Sequence, residues 1–562
     1  MRKTYRKTLA AGLALCVAFS AAACNQTPIG GGEESNICEV KAVIAGYGVD
    51  WLEPAAKQFN EMYADEGYEV RITLTDTEIN AQNEICTPNR NTTDLYFEYN
   101  NIDTLINKSR SILRESGVSL LEDLSDVWES KAIGADRQEE GKPIGERLDP
   151  RAADFCSYNG VLTGFDGLYG IPYEGGTSGI FVNMKTLEEK GYTTDDLLTT
   201  DALLEMVREL APANPLDDTQ FFPVAWSGGK APGYWDYLCQ ILIAQYAGAQ
   251  KYENIWNFIP DEGESAMIEK GYEVYEEWGI YEALKVIEEL ENRDYAVPGT
   301  SSMTHTAAQA RVFTGSSLFM VSGDWIYKEM EKDYGQYMED VIAIQTPVIS
   351  ALGVKLGLCG KTHTEGYENY DCDDCETILR AVVKAVDANE LSDAEIAAAN
   401  GITADKVATI RESRGYYRAN TATTIAFIPS YSNAKTVAKL FLRFIFSDDG
   451  NEIYHDNSYN YFAIEHVVEP DVEAMNEREK AVYMKMYSEN SSPIYEDTSS
   501  PIRSIANVGF YPDQGTLVNA YTGLSYSHSQ GTPTFTAKGI YESNITYSKA
   551  SWNDWLQTAR LI

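Results

Sequence analysis

Two sets of side chains in this sequence have the types and spacing to do chemistry. Cys359, His363, Cys372 and Cys375 form C-x3-H-x8-C-x2-C inside CGKTHTEGYENYDCDDC. Three thiolates and one imidazole at that spacing can surround zinc tetrahedrally. Two of the same cysteines can instead close a disulfide, and that is the use expected of them, with metal the lesser candidate and no cofactor expected. Asp371, Asp373 and Asp374 between them read as solvated turn residues.

The second set pairs aromatic rings with polar groups at the ends of predicted strands. Tyr47 and Trp51 follow Val40 to Ile44, Tyr99 and Asn100 follow Leu95 to Phe97, and Asp324 and Trp325 follow Ser317 to Val321. Tyr173 and Glu174 lie where Pro172 and Gly175-Gly176 interrupt an apolar path, while Trp226 and either Tyr234 or Trp235 flank a Gly- and Pro-containing loop. Flat rings beside directed hydrogen-bonding groups suit a cleft for a polar ligand. Each ring can equally fill a core, and Asp324 can equally cap a helix from Ile326.

The elements that must position these residues read as α/β. Val40 to Ile44 is a strand, Trp51 to Tyr63 carries Leu52, Ala55, Ala56, Phe59 and Met62 at helical spacing, and Tyr68 to Leu74 alternates as a second strand. Strand, helix, strand is the order of a parallel α/β unit, whose ligand loops lie beyond the strands' C-terminal ends. A helix is expected from Ile102 to Glu115, others at Tyr234 to Tyr246, Ala434 to Phe446 and Val472 to Met486, and Trp552 and Trp555 on a terminal helix. Trp256 and Trp278 sit in helical patterns and read as core.

Bulk properties narrow the class. The 562 residues carry 45 Lys plus Arg against 85 Asp plus Glu, a formal charge of −40, which excludes nucleic acid and makes anionic lipid an unfavourable partner. Hydrophobic residues at 44% are enough for sizeable cores, and the length asks for more than one lobe. The N-terminus, MRKTYRKTLAAGLALCVAFSAAAC, is a basic end, an apolar run too short to span a bilayer, and small residues before Cys24. It resembles a lipoprotein export signal with Cys24 as the lipidated residue, although Ala21 stands where Leu is usual. Asn25 to Asn36, containing Gly30-Gly31-Gly32, reads as a flexible tether. Of the cysteines beyond Cys24, Cys38 with Cys86 and Cys156 with Cys239 are possible pairs.

Five segments in order carry a family resemblance: AAAC, Glu39 to Tyr63, YGIPYEGGTSGIFVN (Tyr169 to Asn183), GSSLFMVSGDW (Gly315 to Trp325) and IPSYSNAKTVAKLFLRFIFSDDG (Ile428 to Gly450). Together they resemble the extracellular solute-binding lipoproteins of ABC transporters, in the carbohydrate group that includes maltose-binding protein. The departures are the length, an insertion near 360–411 and the region beyond Gly450. The resemblance implies a two-lobed periplasmic-binding-protein-like α/β fold with hinge crossings, residues 38–172 and 344–458 forming lobe 1 and 173–343 and 459–562 lobe 2. It also implies Trp325 as an aromatic platform, a carbohydrate ligand, permease partners, a monomer held to the outer face of the cell membrane by its lipid alone, and no catalysis. A surface-anchored glycoside hydrolase and a non-catalytic adhesin are the alternatives. Hydrolysis needs two carboxyls at a set separation, and 85 acidic residues let any pair be nominated. No G-x-S-x-G, H-E-x-x-H or G-x-x-x-x-G-K-[ST] occurs, which excludes only those chemistries.

Overall fold

Period-two burial on one strand and unbroken burial on others show which strands are covered on one face and which on both. In chain order the strands of the two large sheets are β1 (Ile37–Val43), β2 (Glu69–Thr75), β3 (Leu95–Tyr99), β4 (Ile171–Pro172), β5 (Thr177–Asn183), β6 (Phe222–Val224), β7 (Ser317–Gly323), β8 (Val341–Ala343), β9 (Tyr416–Ala419), β10 (Thr424–Phe427) and β11 (Ser492–Ile494), and Lys131–Ile133 pairs with Glu139–Pro143 in a separate two-stranded sheet. The helices used below are α1 (Leu52–Met62), α2 (Tyr234–Ala247), α3 (Asp373–Ala388), α4 (Lys435–Ile445) and α5 (Ala537–Thr558). This computed structural model describes residues 34–506, 508 and 536–562, apart from 44–45, 76–79, 100–101, 110–118, 160–163, 232, 293, 368–369, 421–423 and 498–499. Cys24, its signal segment, most of the tether and Asn100 lie outside the described residues.

The first sheet has the order β2-β1-β3-β10-β4. β1 runs parallel to β2 and β3, with Val40 opposite Leu95, and β10 returns antiparallel to β3, with Ala426 opposite Phe97. α1 buries Leu52, Ala55, Ala56 and Phe59, a stripe at i, i+3, i+4 and i+7, and α4 buries Val437, Ala438, Phe441 and Ile445. The two helices meet through Phe59 and Phe441, 5.4 Å between ring centres. The second sheet has the order β11-β9-β5-β7-β6, with β8 also on β5. All seven residues of both β5 and β7 are buried, as strands covered on both faces must be. α2 packs here, and α5 closes the lobe with Trp552 and Trp555 buried.

Each sheet carries its own core, one built from residues 38–173 and 425–464, the other from residues 180–416 and 494–559, and a small cluster of Phe155, Tyr417, Ala419 and Tyr495 lies apart from both. The chain crosses between them at 173–176 and again between β9 and β10. An expected return to the first lobe at residue 344 does not occur. β8 instead pairs with β5, and Val348, Leu352, Cys375, Leu379, Val383 and Ile410 fill the second core, so residues 344–419 belong to that lobe. The cause is the apolar stripe of α3, Cys375, Leu379, Val382, Val383 and Val386, which is buried there. The expected helix from Ile102 runs to Lys108 among the described residues.

At the first crossing Gly176 has φ +101°, and a Cβ there would overlap the Tyr47 hydroxyl and the Asn460 amide. Gly176→Ala will therefore lower unfolding stability by about 1–3 kcal/mol from backbone strain alone. Urea unfolding checks this, and an unchanged midpoint would refute it.

The expected disulfides are absent: none of the seven cysteines from Cys38 to Cys375 is in a disulfide. Cys156 lies in the first core and Cys239 in the second, and Cys86 donates to the Gln82 carbonyl at 3.3 Å rather than meeting Cys38. No helix among the described residues is long and apolar enough to cross a membrane.

Candidate functional site

The lobes meet along a seam built from strand ends. The turn after β1, with φ +50° at Gly46 and +77° at Gly48, brings Tyr47 against the end of β7. Tyr47 donates its hydroxyl proton to Asp324, whose other carboxylate oxygen accepts the Thr177 N–H at 3.0 Å. Asn420, in the second crossing, donates to the Tyr47 oxygen at 3.1 Å. Burial pushes the Asp324 carboxyl up to about 7, while the Tyr47 hydroxyl and Thr177 N–H pull it back. Lys485, buried nearby, is pushed down to about 8 by burial, with Asp324 opposing.

Beside this clamp lies a group of rings. Trp325 stands edge-on to Tyr47, Tyr234 and Tyr237 at 5.8, 5.8 and 5.9 Å, and its indole N–H donates to the Tyr234 hydroxyl at 3.1 Å. Tyr234 and Tyr237 stand at i and i+3 on the first turn of α2, the spacing that puts two side chains on one helix face. Their rings stack 5.3 Å apart. From β9, Arg418 lies 4.4 Å over Tyr237 and is held by Glu496 at 2.7 Å, Asn420 at 2.8 Å and Gln240 at 3.1 Å. Facing it from β3 of the other lobe, Tyr99 is 51% exposed and lies within electrostatic reach of Glu174, Tyr237, Arg418 and Tyr234. Burial, with the Asp324 charge adding, pushes the Glu174 carboxyl up to about 8.

Polar contacts also join the lobes on either flank. Lys328 pairs with Asp50 at 3.1 Å, Arg151 with Glu253 at 2.6 Å and Asp497 at 3.0 Å, and Tyr495 donates to Asp149. Partly solvated pairs of this kind contribute about 0–1 kcal/mol each.

Residues 113–452, which include two of the crossings, match the family model described as bacterial extracellular solute-binding protein. The chain belongs to that family. A sequence relative of this solute-binding protein is the Xylose/arabinose-binding protein XacG of Haloferax volcanii, 25% identical over 228 residues. That alignment spans 40% of this chain and 40% of the relative, so the chain covers less than half the length of the curated relative it matches. Among solved structures, a chitin oligosaccharide binding protein superposes with TM-score 0.55 at 12% identity, covering 93% of this chain and 100% of its own. The bacterial solute receptor AcbH, described as exclusive for β-D-galactopyranose, gives 0.54 at 14% identity over 92% and 100%. A protein from a study of xylan utilisation by Caldanaerobius polysaccharolyticus gives 0.52 at 11% identity over 91% and 99%. At such identities the likeness establishes the two-lobed periplasmic-binding-protein-like fold.

Within this solute-binding protein, the structure brings Tyr47, Tyr99, Glu174, Asp324 and Trp325 together at the seam. Four other residues singled out in the sequence are core side chains. Trp51 packs against Phe97, Tyr454 and Phe462, and Tyr173 against Trp51 and Phe97, all inside the first lobe. Trp226 and Trp235 face each other at 6.1 Å in the second core. Trp235 turns inward because it shares the apolar stripe of α2 with Leu238, Cys239 and Leu242, leaving the adjacent Tyr234 and Tyr237 outward. Sequence reasoning passed over Tyr237, Arg418, Gln240 and Asn420. The i, i+3 tyrosine pair was the available signal for the first; Arg418 had none, because its strand is short and its partners come from distant segments.

Proposed function

We propose that this chain is the substrate-binding component of an ABC importer, reversibly binding a carbohydrate of oligosaccharide size and passing it unaltered to a membrane permease. The observation that carries this reading is the ring group of Tyr99, Tyr234, Tyr237 and Trp325 spread across two facing lobes, with Arg418 and Glu174 among them. Rings offer flat faces for the apolar side of a pyranose, and the guanidinium and carboxyl match its hydroxyls. The sugars named for the relatives support the same class. Cys24 is the proposed lipid anchor, with residues 25–36 as tether, holding a monomer to the outer face of the cell membrane. Residues 38–173 with about 424–464, and 177–419 with the C-terminal part, are the proposed moving lobes.

A thermal-shift panel of oligosaccharides against the mature protein tests the reading, since a ligand bound only by the folded form raises its transition temperature. Tyr99→Ala will weaken binding of the stabilising sugar by about 1–3 kcal/mol, with folding unaltered because that ring is half-exposed. Unchanged affinity by calorimetry would take Tyr99 out of the site.

A further inference from the structure

Far from the seam, at the head of α3, four side chains converge that the function above does not use. The ligand atoms of Cys359, His363, Cys372 and Cys375 all lie within 4.8 Å of one another. Cys359 Sγ is 3.4 Å from His363 Nε2, Cys375 Sγ is 3.7 Å from the same nitrogen, and the Cys359 and Cys372 sulfurs are 3.8 Å apart. A tetrahedron with metal–sulfur bonds of about 2.3 Å and a metal–nitrogen bond of about 2.05 Å has edges near 3.5–3.8 Å. The three separations above, 3.4, 3.7 and 3.8 Å, fall at or close to those edges, and all six lie within 4.8 Å. A disulfide requires its sulfurs at about 2.05 Å.

We propose that Cys359, His363, Cys372 and Cys375 form a structural zinc site of Cys3His type. All four positions are taken by protein atoms, which is the closed arrangement of a structural rather than a catalytic centre. The local backbone is built for it. Gly360 has φ +78°, so the chain turns back directly after Cys359. Three thiolates on one divalent cation leave a net charge of −1, and Lys361, 3.3 Å from Asp374, stands within charge reach of Cys359 and Cys372 to balance it.

The site has a mechanical purpose. Cys372 stands at the N-cap position of α3 and Cys375, fully buried, sits in its first turn, while Cys359 and His363 belong to the loop leading into the insertion. Zinc would tie that loop to the helix whose apolar stripe plugs the second core. It would also hold three thiols out of the disulfide chemistry that an exported chain meets.

Metal analysis of the mature protein, purified without chelator or reductant, will give one zinc per chain. Displacing the zinc with a mercurial will release it stoichiometrically. Cobalt added to the stripped protein will give the ligand-field absorption of a tetrahedral complex together with thiolate charge-transfer bands, and Cys372→Ser will reduce the charge-transfer intensity by about a third. His363→Ala will lose zinc on gel filtration while still folding. Absence of zinc together with a Cys359–Cys372 bridge in peptide mass spectrometry, or cobalt bound without charge-transfer bands, would overturn the site. None of these readouts involves a sugar, so they stand or fall separately from the transport reading.

Discussion

Replacing Arg418 with Ala will lower the free energy of unfolding by about 3–5 kcal/mol and abolish measurable ligand binding. Arg418 is a buried cation whose charge is answered by Glu496 and whose remaining donors satisfy Gln240 and Asn420, while its plane covers Tyr237. Its removal takes four elements apart at once: α2, β9, the second crossing and the segment after β11. The neighbouring Asp236 carboxyl, pushed up to about 8 by burial and the Glu496 charge, also loses one of the two cations, Arg418 and Arg503, that oppose them in part. Arg418→Lys will restore only part of the loss, because an ammonium cannot reproduce the planar fork or its stacking. Urea unfolding with an unchanged slope is the measurement. A loss under 1 kcal/mol would mean that the guanidinium is solvated rather than structural.

Stability will fall as pH rises from about 4 to about 8, with Asp324, Glu174 and Asp236 all contributing. Its folded-state carboxyl is pushed up to about 7 and those of Glu174 and Asp236 to about 8, all by burial first. Between the ordinary carboxylate value and these raised values the folded chain holds protons that the unfolded chain has lost. The folded state is therefore favoured at the acid end, and its advantage is gone once pH passes the raised value. For Asp324 the shift corresponds to up to about 4 kcal/mol. Asp324→Asn keeps one acceptor oxygen for the Thr177 N–H and turns an amide N–H toward the Tyr47 oxygen, and it cannot ionise, so its stability profile will be flatter over that window. Equal slopes for the two proteins would place the ionised carboxylate in the folded state throughout.

Much of the fold could be read from periodicity, because α1 and α4 each present one apolar stripe and the strands feeding the first sheet alternate or are wholly apolar. The crossing at Pro172 was legible through its Pro and paired Gly. The return crossing was not. β8 is a three-residue strand that pairs back within its own lobe, and nothing local separates that outcome from a passage to the other lobe. The site was half legible for a related reason. Residues that follow strand ends, Tyr47, Tyr99 and Asp324, could be nominated from the rule for α/β sheets. Trp51, nominated by the same rule, and Trp226 and Trp235, nominated for their Gly- and Pro-containing loop, are instead buried in the lobe cores, where a large ring removes the most apolar area from water. The cysteines show the converse. Their spacing already permitted a tetrahedron, but export argued for bridges, and only the distances in space separate the two.

Calorimetric titration of the mature protein with the sugar that most raises its transition temperature, followed by mass analysis of the recovered sugar, tests the central claim most directly. The expected result is one sugar per chain, bound reversibly, weakened by Tyr237→Ala and returned intact. Binding indifferent to that substitution, or a sugar recovered in pieces, would contradict it.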